Sequence, residues 1–193
     1  MSVGAAMAAW LLLAALGTDT RPPESIAVDE RIEYYRIEGR TSVQLAAQME
    51  RLGPVRTLGG MRSTALTRWE LAWNHISELR DGLCHPVDLD VQVSVVITLP
   101  EWSPSRAVDR ELAVKWRAFM SRVREHEDVH RRHGLQAASA LQQAVAALPP
   151  QPDCRSLARA VTIAGRQEIR RYARISRAYD VDTDYGKKKG VRL

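Results

Sequence analysis

The hydrophobic period of this chain changes near its middle, and that change limits the folds open to it. Val87, Leu89, Val91, Val93 and Val95 alternate with Asp88, Asp90, Gln92 and Ser94. A period of two marks a strand with one face buried. The run continues through Val96-Ile97-Thr98-Leu99 and is expected to stop at Pro100, which has no N–H to give to a ladder. Leu66 to Trp73 alternates too, with Arg68 and Glu70 set between Trp69, Leu71 and Trp73. Glu33 to Glu38 reads as a short strand ended by Gly39.

The second half has another period. Trp116, Phe119, Val123, His126, His130, His133, Ala137, Leu141 and Leu148 recur at helical spacing, tracing one face of a long helix from about Val108 to Leu148. Gly134 is its weak point, and Pro149-Pro150 ends it. A second helix is expected from about Cys154 to Tyr179, with an apolar stripe of Leu157, Val161, Ala164, Ile169, Tyr172 and Ile175. A shorter helix follows the capping-box pattern Thr41-Ser42-Val43-Gln44, buries Leu45, Ala46 and Met49, and stops at Gly53-Pro54. Strands first and helices second is an α+β layout, a small, mostly antiparallel sheet packed on long helices.

The 193 residues suit one domain with a sizeable core. Ala5 to Leu16 is an uncharged apolar run of about 12 residues, short of the roughly 20 that a spanning helix needs. It fits the apolar region of a secretory signal, with Ala15-Leu16-Gly17 as the cleavage site, although no Lys or Arg precedes it. The alternative is a buried N-terminal helix. The expected layout is a signal peptide at 1–17, a linker at 18–30 and a single domain at 31–193, exported to the periplasm or secreted, with no span in the mature chain. In an oxidising compartment Cys84 and Cys154, the two cysteines present, most simply form one disulfide; the alternative is a pair of buried thiols.

The balance of 28 basic against 23 acidic residues gives a net charge of +5. It is read as a property of the Arg-rich second helix and of Lys187-Lys188-Lys189, remote from the chemistry. The helix arginines do not form one face, and no nucleic-acid motif is present, so a solvated surface is expected rather than specific nucleic-acid binding.

The chemistry is carried by His126-Glu127-Asp128-Val129-His130, an HExxH pattern. By composition alone, a chance match is expected at roughly 0.8%. On a helix, residues four apart stand one above the other, so two imidazoles can converge on one metal ion, for which neutral ring nitrogens suit Zn²⁺. Glu127 is placed to accept a proton from the water that attacks a carbonyl. His133 shares the face but lies too far along for one ion to take all three, and it is expected to line the cleft. His75 and His85 are read as surface residues in loop-like stretches. The metzincin extension would place Gly at 133 and His at 136, where this chain has His133 and Gln136. The third ligand stays open, with Glu168 the one acid in the interior of the second helix.

Further short motifs occur in a fixed order: Tyr35-Arg36-Ile37-Glu38-Gly39, Gly53-Pro54, Thr67-Arg68-Trp69-Glu70-Leu71, Cys84, Leu99-Pro100-Glu101-Trp102, Trp116, the His126–His130 pattern, and Tyr179-Asp180-x-x-Thr183-x-Tyr185-Gly186. In these the chain resembles the DUF922 family of predicted secreted zinc-dependent bacterial proteases. The resemblance implies an exported, zincin-like peptidase with one zinc ion and a peptide or protein substrate. The terminal segment of that family usually reads Thr-x-His-Gly, and its His would be a third ligand. Here the position is Tyr185, which the resemblance makes a ligand or a hydrogen-bond donor to the reacting oxygen. Weaker metal binding, recruitment of Glu168, Asp182 or Asp184, and loss of catalysis are the alternatives. The last would leave a non-catalytic exported binding or scaffold protein for acidic cell-envelope partners.

Overall fold

The computed structural model describes residues 26–56, 60–103 and 109–193. The signal-like segment at 1–17 and most of the linker lie outside them. Three strands, β1 (Ile26–Ile37), β2 (Leu66–Arg80) and β3 (Leu83–Trp102), and three helices, α1 (Ser42–Leu52), α2 (Arg110–Ala146) and α3 (Cys154–Asp182), make an α+β domain. β1 starts within the residues assigned to the linker.

The sheet is mixed, not mostly antiparallel. Its order is β1-β3-β2, with β1 parallel to β3 and β2 antiparallel to it. The register explains how this arises. Ile37 at the end of β1 and Leu66 at the start of β2 pair with Trp102 and Thr98, at the same end of β3. The connection through α1 therefore crosses that end of the sheet, and β3 inserts between the other two strands. The alternating pattern identifies each strand but not its neighbours. Central β3 has its inner row, Leu89, Val91, Val93, Val95, Ile97 and Leu99, buried throughout. The β2–β3 hairpin turns at Asp81-Gly82, both with positive φ, as a two-residue Asp-Gly connection favours.

Pro100 does not end β3. β2 pairs no further than Thr98, so beyond it β3 has β1 as its sheet neighbour, and a missing N–H is tolerated at such an edge. His75 and His85 lie on β2 and β3 rather than in loops.

α1 starts as its sequence suggests: the Thr41 side chain accepts a hydrogen bond from the Gln44 backbone N–H. Asp109 and Asp153 cap α2 and α3 in the same manner. Both long helices cover the inner face of β2 and β3. Two glycines bring them close. A Cβ at Gly134 would lie 2.7 Å from Trp69 Cγ, and one at Gly165 would lie 2.6 Å from Trp73 Cζ2. α2 runs unbroken through Gly134, which is there to admit an indole rather than to weaken the helix.

The Cys84–Cys154 disulfide, expected from the sequence, joins the start of β3 to the first residue of α3 across 70 positions. Beside it, Cys84 and Gln151 exchange backbone hydrogen bonds of 2.8 and 2.9 Å. The tail joins the packing. After a 3-10 turn at Lys187–Lys189 it folds back, and Val191 and Leu193 pack against the core.

Candidate metal centre

The buried face of α2 presents His126, Glu127 and His130, which are 7%, 6% and 8% exposed. Helical spacing brings the two rings together, with their Nε2 atoms 3.3 Å apart. The third participant comes from the last turn of α3: Asp180 Oδ1 lies 3.2 Å from His126 Nε2 and 3.1 Å from His130 Nε2. These two histidines and Asp180 form one group able to hold a metal ion.

The spacing can be tested against an ion. Three donors about 2.0–2.1 Å from a tetrahedral centre would stand about 3.3–3.4 Å from one another. The observed separations, 3.1 to 3.3 Å, fit that donor set. The Nδ1 of His126 is buried and has no hydrogen-bond partner, so the ring's one polar engagement is through Nε2, toward the cluster.

Tyr179, next to Asp180, holds the rings in place. It stacks on His126 at 4.9 Å and meets His130 edge-on at 5.4 Å. Past α3, the Thr183 hydroxyl donates to the Tyr179 carbonyl and accepts from the Gly186 N–H. Asp184, Tyr185 and Gly186 then take left-handed conformations in succession and turn the tail across the site. Only glycine suits position 186. Its φ is +83°, and a Cβ there would meet Val191 Cγ2 at 2.7 Å and His126 Nδ1 at 3.3 Å.

Glu127 is not part of the three-atom group. One of its carboxylate oxygens accepts a 2.8 Å hydrogen bond from Thr67 Oγ1, on β2. Burial pushes its carboxyl above the usual range, against the opposing effects of the Thr67 hydrogen bond and of the two imidazoles. Burial also opposes ionisation of Asp180, but the hydrogen bonds and charge of His126 and His130 outweigh it and hold that carboxyl well below the usual range.

The remaining sequence candidates lie around this centre. His133 Nδ1 is 2.9 Å from Ser176 Oγ, and burial lowers the affinity of that ring for a proton. Tyr185 lines the same cleft as the histidines, 43% exposed, with the Arg56 guanidinium 3.8 Å over its ring. Glu168 pairs with Arg171 at 3.2 Å. Asp184 lines the cleft and faces Lys187 at 3.8 Å. Asp182 accepts a hydrogen bond from Lys188 Nζ through its backbone carbonyl. Asp180 and Thr67 were not singled out from the sequence. Each had a signal: Asp180 falls three residues before Thr183 in the terminal motif, and Thr67 opens the motif at the start of β2.

The cleft itself has a volume of about 870 Å³. The charge around it corrects the view that the basic excess is remote from the chemistry, because Arg56, Arg177, Lys187 and Arg192 all line it.

Fold and site together define an α+β domain with a candidate two-histidine, one-carboxylate metal centre. The chain belongs to the family described as "Bacterial protein of unknown function (DUF922)", whose sequence model matches residues 32–187. No curated protein and no solved structure gives a match.

Proposed function

We propose that this protein is an exported, zinc-dependent peptidase of zincin-like design. The observation that carries the reading is the convergence of His126, His130 and Asp180 in the wall of the cleft, which the buried Glu127 also lines. His126 and His130 would hold the ion through Nε2, and Asp180 through Oδ1. When bound, the ion would supply a Lewis acid that polarises a carbonyl and eases deprotonation of water.

The chain's own residues supply the rest. Glu127 takes the proton of the attacking water at a carboxylate oxygen and returns it to the leaving amine. Thr67 holds that carboxylate in one orientation through its 2.8 Å hydrogen bond. Tyr179 fixes the imidazole planes. The phenol of Tyr185, on the cleft wall, donates to the oxygen that becomes negative as the carbonyl is attacked.

Export is supported by the Cys84–Cys154 bond, which persists in oxidising compartments. Among the described residues, no helix is long and apolar enough to cross a membrane.

The deciding experiment is metal analysis of the purified chain after metal-replete dialysis, followed by a peptide-hydrolysis assay. About one zinc per chain, lost in His130→Ala, supports the site; full occupancy in that variant removes it. Glu127→Gln should keep the metal and lose hydrolysis, and an unchanged rate would clear Glu127 of its role. A second reading, a non-catalytic binding protein with acidic cell-envelope partners, is favoured by the engagement of Tyr185 with Arg56 in place of a third imidazole. Absence of zinc under those conditions would select it.

A further inference from the structure

We infer that the cleft selects peptides carrying aspartate or glutamate beside the bond presented to the centre. The inference rests on the peptidase reading but comes from a different set of residues. Apart from Glu127 and Asp180, the cleft is lined by six cationic side chains, Arg56, Arg62, Arg68, Arg177, Lys187 and Arg192, against three acidic ones, Glu50, Glu70 and Asp184.

What these cations touch matters more than their number. Arg62 donates to the carbonyl of Gly53 at 2.6 Å, and Arg68 to that of Val55 at 2.9 Å. Arg56 is held by the Met61 sulfur and by the face of the Tyr185 ring. All three guanidiniums are fixed by neutral groups, so their positions are set while, among the described residues, no carboxylate pairs with them. Among the described residues Arg177 and Arg192 pair with no carboxylate, and only Lys187 faces one, Asp184 at 3.8 Å. Guanidiniums so held are prepared for carboxylates, which they can bind through two parallel hydrogen bonds.

The same wall favours a peptide over another polyanion. Leu66 to Glu70 of β2 line the cleft, and β2 is an edge strand of the sheet. An extended peptide can use the backbone groups of such an edge, which a sugar-phosphate chain cannot match in spacing.

Fluorescence anisotropy tests this with two labelled peptides of one sequence, carrying Glu in one and Gln in the other on both sides of a central Ala-Leu. Each is titrated with the full chain bearing Glu127→Gln and, as a second sample should that variant misfold, with the wild-type chain kept in chelator. The Glu peptide should bind about tenfold tighter at low salt, and this advantage should shrink at ~0.5 M salt as screening sets in. Arg177→Gln combined with Arg192→Gln, which pair with no carboxylate among the described residues, should reduce the Glu advantage severalfold. Equal affinities, or no measurable binding of either peptide, would overturn the inference. So would single-stranded DNA of equal charge displacing the Glu peptide more readily than unlabelled Glu peptide does.

The two readings fail separately. A Glu preference in binding, with no hydrolysis of either peptide by the zinc-loaded wild type, would sink the peptidase and keep the acidic-peptide cleft. Hydrolysis at equal rates for both peptides, with equal binding, would do the reverse.

Discussion

The hydroxyl of Thr67, on β2, lies 2.8 Å from a carboxylate oxygen of Glu127, on α2, and 3.2 Å from the carbonyl oxygen of the same residue. One side chain thus ties the sheet to the helix and orients the carboxylate proposed as the base. Thr67→Val keeps the shape and removes the donor. It should cost about 1–3 kcal/mol of stability, as expected for a buried carboxylate left short of a hydrogen bond. Hydrolysis should fall at least tenfold with zinc content unchanged, and Thr67→Ser should restore most of it. Urea unfolding and metal analysis on the same samples check the prediction, and a fully active Thr67→Val would dismiss the positioning role.

The third ligand can be decided by two substitutions. Asp180→Ala should lower zinc retention about as much as His130→Ala does, since each removes one donor of three. Tyr185→Phe should leave retention unchanged. If Tyr185→Phe releases the metal instead, the phenol rather than Asp180 completes the site. Competition with a chromophoric chelator measures both.

Gly134 and Gly165 set the distance from the helices to the sheet. In an exposed helix, Gly→Ala gains about 1 kcal/mol. Here the added methyl would meet the Trp69 and Trp73 rings below 3.0 Å. Gly134→Ala and Gly165→Ala should therefore each destabilise, by about 1–3 kcal/mol. A rise in the thermal midpoint for either would show that the indole gives way at little cost.

The disulfide closes a loop of 70 residues. Chain-entropy arguments assign such a closure about 4 kcal/mol, with native-state relaxation bringing measured values nearer 2–4 kcal/mol. The double variant Cys84→Ser/Cys154→Ser should lose that amount in denaturant unfolding. A loss below ~0.5 kcal/mol would mean that the reduced, unfolded chain is already compact enough to make the closure nearly free.

Tyr35 gives the fold an alkaline limit. Its phenol donates a 2.6 Å hydrogen bond to the Thr64 carbonyl, and burial pushes its ionisation above the usual value near 10. A group whose pKa is raised on folding stabilises fully below its unfolded pKa, and that contribution is lost as pH climbs toward the folded one. Stability should therefore decline above about pH 10, and Tyr35→Phe should flatten the decline while costing about 1 kcal/mol at neutral pH for the lost hydrogen bond. Parallel slopes for the two proteins between pH 9 and 11 would contradict this.

The sequence disclosed those parts of the fold that have a local cause. Val91, Val93 and Val95 announce a strand, and Phe119, Val123 and His130 a helix face, because burial on one side imposes a period on neighbouring residues. The order β1-β3-β2 has no local cause. It depends on which strand edge the chain crosses, and the alternation in each strand is the same either way. The site divides along the same line. His126 and His130 are legible because four residues of helix join them, whereas Asp180 is brought from 50 positions away by the packing of α3 on α2. The helix was expected to stop at Tyr179, which would have left Asp180 in the tail. It continues to Asp182, since nothing breaks it before the left-handed residues Asp184 to Gly186.

α3 can be regarded as a beam with two clamps. At its foot Cys154 is bonded covalently to the sheet, and near its tip, 26 residues or about 39 Å away, Asp180 closes on the histidine pair. Between the clamps Leu157, Val161, Ala164 and Gly165 are buried, so the packing of the helix carries a disturbance from one end to the other. Cutting the foot should therefore loosen the grip at the tip, and an ion seated at the tip should stiffen a foot that has been cut. The bond at one end of α3 and the proposed site at the other would then be coupled through one helix, and the zinc affinity of Cys84→Ser/Cys154→Ser measured against wild type reads that coupling directly.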